Sequence, residues 1–286
     1  MLGFGNSPQE IMAASVLAFI AGAVAVSAFM RWRKAILATD LLMPVSFLAA
    51  YWFVYNKIPA FPPVGAVNKI FFIALLGTVV GIVLEFSGLQ RLGKMLALLQ
   101  PIVAALYIGQ PILGATPLEV LFAATAGVAV MAFVLFGNGE ASDDDVRRGG
   151  GVAVLALGFA PIALLGASSS TFQLCLLYAA ASFGVLVLHV TKPAFRFGPV
   201  SYLGGLGGLL SVADTVVLVT RKTDLVALAV LALSVVLPPL VSERVCRRIG
   251  ISKPFARLVV YITFAVAPAV LAALVAFLNY GTDFPV

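Results

Sequence analysis

The sequence predicts an all-α, polytopic membrane protein of about ten transmembrane helices, arranged as two inverted five-helix repeats. Three observations predict it. Of 286 residues, 62% are hydrophobic and 10% charged, with a mean hydropathy of +1.11. Ordinary soluble domains carry roughly 25% charged residues, so a water-soluble globule would lack the charge to cover its exterior. Disorder is excluded as well, because it goes with low hydrophobicity and high charge. The second observation is a series of ten apolar runs near the length of about 20 residues that a bilayer requires. The third is a match between the two halves of the chain.

The first run spans about 8–30 and ends at the basic "RWRK"; no basic segment precedes it, so it reads as a retained helix rather than a cleaved signal. The second, about 35–55, closes on Tyr51, Trp52, Phe53 and Tyr55, which with Trp32 fit the interfacial level favoured by amphipathic rings. Three prolines follow in "NKIPAFPPVGAVNK", as expected of a stiff extended loop. Further spans are expected at about 67–87, 94–110 (short enough to be tilted or broken) and 116–137. The second half offers 151–167, 171–190, 200–220, 224–242 and 256–279. Cys175 and Cys246 share no motif spacing and suggest neither a disulfide framework nor a metal site.

Between the fifth and sixth runs lies "GNGEASDDDVRRGGG", glycines and charges of linker character. It divides the chain into 1–137, a polar linker 138–150, and 151–286. Sliding the second half onto the first at an offset of 137 residues aligns Pro101 with Pro238 and Pro117 with Pro254. Thr78-Val79-Val80 falls on Thr215-Val216-Val217 in the same register. Pro101 and Pro238 are expected to act as matched helix breaks.

Five helices per half is an odd number, so a duplicated half must insert upside down, and equivalent loops should differ in basic content. Arg31, Arg33 and Lys34 follow the first span, whereas the equivalent "GASSS" carries no base. "LGAT" follows the fourth, whereas its equivalent holds Arg244, Arg247, Arg248 and Lys253. Inverted repeats of this kind are a transporter architecture. The net charge of +6 is explained by this loop bias, not by nucleic-acid binding. The expected location is the bacterial inner membrane or its equivalent, with both base-free termini on the non-cytoplasmic side.

Residues 73–136, from "IALLGTVVGIVLEF" to "AGVAVMAFVLF", and the segment "ALAVLALSVVLPPLVSERVCRRIGISKPFARLVVYITFAVAPAVLAAL" resemble the last three helices of an EamA-type half. EamA-type proteins belong to the drug/metabolite transporter superfamily, whose members are two inverted five-helix repeats. The resemblance puts Pro101 and Pro238 at the family's proline early in the fourth helix of each half. Gly114 and Ile251 stand where family halves usually carry glutamate. The resemblance implies transport of a small metabolite.

Charge within a bilayer is costly, about 2.5–3.5 kcal/mol at a helix centre on insertion scales. Asp214, within "LLSVADTVVLV", is the candidate for a pathway carboxylate, for proton coupling or cation recognition. Ser211, Thr215, Tyr107, Gln173, Tyr178 and Tyr202 are candidates to hydrogen-bond a polar solute along the same pathway. Asp40 is expected to pair with the "RWRK" cluster, Glu85 and Lys69 to reach water from the ends of their helix, and Glu119 to suit a helix N-terminus. His189 reads as interfacial, and the glycines of "YLGGLGGLLS" as close packing.

The leading expectation is a secondary transporter or exporter of a small metabolite, working by alternating access. The alternative is a non-transporting membrane subunit or assembly factor of a larger complex. Paired carboxylates, a His cluster or a nucleophile–base pair do not stand out, so an enzyme is not expected, and neither is a cofactor or bound metal. The expected partners are membrane lipids, an unidentified small solute, and a second copy or complex partner.

Overall fold

The computed structural model describes residues 7–35, 37–137, 142–166, 168–190, 195–251 and 254–280. Among them, ten helices are long and apolar enough to cross a membrane. They are α1 (Pro8–Trp32), α2 (Leu42–Tyr55, entered through a 3₁₀ turn, Leu37–Leu41), α3 (Ala66–Phe86), α4 (Gln90–Gly109) and α5 (Pro117–Phe136). The second half supplies α6 (Ser142–Leu165), α7 (Ser169–Val187), α8 (Ser201–Thr220), α9 (Leu225–Ile249) and α10 (Pro254–Tyr280). The polytopic all-helical expectation therefore holds.

Two expectations about local structure are corrected. Helix α6 begins at Ser142, inside the stretch read as linker; residues 138–141 lie outside the described residues. Acidic residues suit the positive end of a helix, and Arg147 and Arg148 fold back on Asp144 and Asp145 at 2.8 and 2.7 Å. A charged sequence that looks like a loop thus forms the opening turns of a helix. The second correction concerns Pro101 and Pro238. Both sit inside continuous helices, α4 and α9, and neither breaks its helix. Packing in a bundle lets transmembrane helices run through proline, and Pro101 is buried where α4 meets Gly127 of α5. Helix α4 is likewise unbroken over its 20 residues.

Helices α6, α7 and α8 form the interior. Helix α6 packs on α7, α9 and α10, whereas α1, its counterpart by sequence register, lies at the rim mainly against α7. Helix α8 is gripped by α2, α3 and α4. Its glycines permit this: a side chain on Gly204 would collide with Thr78 and Pro44, and one on Gly208 would meet the Phe47 ring at 2.8 Å. The middle of α8, Gly207–Thr215, is α-helical, and wider π-helical turns flank it at Ser201–Leu206 and Val216–Thr220.

The helices alternate up and down. At the end where α8 begins, Asp40, Glu85, Arg148 and Arg196 gather; at the end where it finishes, Arg221 bridges to Glu119 at 3.1 Å. Asp224 caps α9 there, accepting from the N–H groups of Val226 and Ala227 and from Asn279.

Candidate membrane-embedded site

Helix α8 carries Asp214 into the bundle two turns before its end. The carboxylate is buried, and its Oδ2 has no hydrogen-bond partner among the described residues. Burying a charged group without a partner is among the costlier acts in folding. The unpartnered oxygen is therefore the first feature that calls for a ligand. Asp214 lines a cavity of about 340 Å³ whose walls come from α5, α6, α8 and α9. That volume falls within the range, roughly 300–1,000 Å³, of small-molecule sites. The floor is set by Phe159 of α6 and by Leu210 and Asp214 of α8, all buried. The flanks are two helical stripes, Phe122, Ala126, Ala129 and Phe133 on α5, and Leu225 and Ala229 on α9.

The other residues expected along a pathway lie elsewhere. Ser211 and Thr215 share the helix with Asp214, but their hydroxyls donate one turn back, to the carbonyls of Gly207 (2.8 Å) and Ser211 (2.9 Å). Polar hydroxyls inside a helix commonly bond back in this way. Tyr178 is buried on α7 with its ring edge-on to Phe47 at 5.3 Å; its hydroxyl lies beside Gly205 and has no partner among the described residues. Tyr202 is buried at the start of α8, its hydroxyl beside Gly93 of α4. Gln173 is half-buried on α7. Tyr107 of α4 binds Lys69, whose Nζ donates to the Tyr107 carbonyl at 2.5 Å and lies 4.5 Å from its ring centre. Of the residues expected along a pathway, the cavity takes in Asp214 alone.

Three charged residues depart from expectation. Asp40 does not pair with the basic cluster that precedes it. Its carboxylate accepts the N–H groups of Gly198 (2.7 Å), Val200 (3.0 Å) and Ser201 (2.9 Å), closing the N-terminus of α8. Those orphan donors and the positive helix end outbid a flexible arginine. Glu85 does not reach water; it pairs with Arg196 at 2.7 Å, ten per cent of its side chain exposed. Lys69 is buried on Tyr107. Both lie toward the ends of α3, yet Arg196 covers one and Tyr107 the other, from distant parts of the chain.

His189 lies just past the end of α7 and is buried by protein, its Nε2 2.9 Å from Ser27 Oγ. Ser27 has one hydroxyl proton, which it donates to the Val185 carbonyl at 3.0 Å. His189 Nε2 must then be the donor, leaving Nδ1 as the bare nitrogen. Burial and the nearby Arg31 guanidinium hold the imidazole well below its ordinary value, at about 4.

Sequence reasoning found Asp214 by its isolation among apolar residues. It missed the mouth of the cavity, whose signal lay in the alanines of α5 and α9 at helical spacing. No protein-family model, no curated protein and no solved structure matches this chain.

Proposed function

We propose that the protein is a secondary transporter, moving a small solute across the membrane by alternating access between two inverted five-helix halves. The observation that carries this reading is the buried carboxylate of Asp214, whose Oδ2 has no hydrogen-bond partner among the described residues, at the floor of a cavity within the spanning bundle. A carboxylate held there without a partner is costly unless it acts on something. The glycine-rich packing of α8 and its π-helical turns support the reading, since wide turns within helices accompany functional sites. The sequence register between the halves and the resemblance to drug/metabolite transporters point the same way.

The apolar walls of the cavity favour a second reading, a non-transporting subunit of a larger membrane complex. The two separate in proteoliposomes. Flux of a solute by the native protein, lost on Asp214→Asn while the variant keeps its thermal stability, supports the carrier. Flux unchanged by the substitution removes Asp214 from the mechanism. Absence of flux across a broad solute panel turns the assignment to the subunit.

A further inference from the structure

The cavity opens sideways. Its flanking residues sit in the middle and outer turns of α5 and α9, yet they face outward: Phe122 is 59% exposed and Leu225 52%. Ala126, Ala129 and Ala229 are exposed beside them. Exposed positions inside spanning segments face acyl chains rather than water, because the hydrocarbon core occupies that depth. The small alanines leave a gap between two helices, and the larger Phe122, Phe133 and Leu225 frame it. A water-borne polar solute would have to cross apolar walls to reach the floor. A molecule already dissolved in the bilayer would not.

The floor sets the headgroup. Asp214 is the one ionisable residue lining the cavity among the described residues, the other lining side chains are apolar, and its Oδ2 accepts no hydrogen bond from the described residues. A buried carboxylate of this kind is matched by a group carrying both a positive charge and N–H donors, since charge-assisted hydrogen bonds are the stronger ones. The walls set the rest of the ligand, which must be apolar to gain from burial.

We propose that the cavity takes its ligand laterally from the bilayer, through the gap between α5 and α9. The ligand is an amphiphile with an apolar body and a primary ammonium headgroup, which Asp214 holds. This rests on the reading of the Asp214 cavity as the ligand site, and it changes the solute from a water-borne metabolite to a membrane-dissolved amine.

The test uses the full chain in phosphatidylcholine liposomes and dodecylamine carrying a diazirine midway along its chain. Photolabelling followed by peptide mapping is expected to place label on residues 122–133 and 225–236. Asp214→Asn is expected to lower labelling there about tenfold, the equivalent of one lost charge-assisted contact. Ala229→Trp, a change at the exposed mouth, is expected to lower it similarly with the thermal transition intact. Unlabelled dodecylamine should compete; dodecyltrimethylammonium, which lacks N–H donors, and dodecanoate should not. Label spread over all lipid-facing helices, or unchanged by Asp214→Asn, overturns the site. Equal competition by the quaternary amine or the carboxylate overturns the headgroup.

Flux measured in the same liposomes separates this inference from the carrier reading. Site-specific labelling without amine flux keeps the ligand and removes transport. Asp214-dependent flux of a water-soluble solute without labelling keeps transport and removes the amine.

Discussion

Ser201 donates two hydrogen bonds to Asp40. The Ser201 N–H donates to the Asp40 carboxylate at 2.9 Å, and the Ser201 hydroxyl donates to the Asp40 carbonyl at the same distance. The two residues are 161 positions apart, so the pair ties the entrance of α2 to the first turn of α8. Pro199, which has no N–H, sits between the donors Gly198 and Val200. Gly198 is required by proximity, because a Cβ there would lie 2.6 Å from Asp40 Oδ2. Asp40→Ala would strip acceptors from three buried N–H groups, each costing about 1–3 kcal/mol when orphaned. The expected outcome is a loss of stability on the order of 2 kcal/mol or more. Asp40→Asn, which keeps one acceptor oxygen, should lose less. Thermal unfolding in detergent, followed by size-exclusion chromatography, ranks the three proteins. Equal stability for Asp40→Ala and the native chain would remove the clasp.

The Glu85–Arg196 pair makes a different prediction. Arg196 is about a quarter exposed, whereas Glu85 is largely covered and its Oε2 has no hydrogen-bond partner among the described residues. Removing one member of a buried pair is expected to cost about 3–5 kcal/mol, because the other charge stays behind unpaired. Partial exposure of the arginine reduces this toward about 2 kcal/mol. Glu85→Leu alone and Arg196→Leu alone should therefore destabilise, and the double substitution should recover part of the loss. A thermal-stability cycle measures the recovery; additive losses would show that the pair does not couple.

These two contacts mark where the sequence stops being readable. The spans were readable because a bilayer imposes length and apolarity on each helix separately. Asp214 was readable because a carboxylate among leucines and valines stands out locally. Asp40 and Glu85 were not: each sits a turn from a helix end, and what decides its role is a partner more than 100 residues away. The same holds for the cavity. The alanine stripes of α5 and α9 look like ordinary packing faces until the two helices are set beside α8 with a gap between them. Ser211 and Thr215 failed in the opposite sense. Their polarity suggested a pathway, but the preceding turn of their own helix takes their hydroxyl protons.

His189 gives the molecule a pH dependence with a defined sign. In the folded protein its value is pushed down to about 4 by burial and by Arg31, against an ordinary 6.5. Between those two values the unfolded chain binds a proton that the folded chain does not. Stability from the neutral imidazole is complete above about pH 6.5 and is lost as pH falls toward 4, with a slope of up to ~1.4 kcal/mol per pH unit. His189→Gln cannot titrate and should flatten that part of the profile. Unfolding midpoints from pH 4 to 7.5 for both proteins make the comparison; identical slopes would assign the acid sensitivity to other groups.

Orientation is the last prediction, and it rests on charge. Along the alternating bundle, Lys34 and Arg91 belong to one end and Lys57 and Lys222 to the other. The richest basic clusters among the described residues, Arg31 to Lys34 and Arg244 to Arg248, fall at the first of these ends. Lysine and arginine in short loops stay on the cytoplasmic side during insertion. Single cysteines at Lys34 and Arg91 are therefore expected to resist a membrane-impermeant maleimide in intact cells and to react after permeabilisation. Cysteines at Lys57 and Lys222 should react without it. The two native cysteines, Cys175 and Cys246, are both buried and should contribute little background. The reverse pattern would invert the assigned orientation. Reaction at all four positions in intact cells would point to a mixed topology, the outcome expected if the basic bias between the two ends is too weak to fix the first helix.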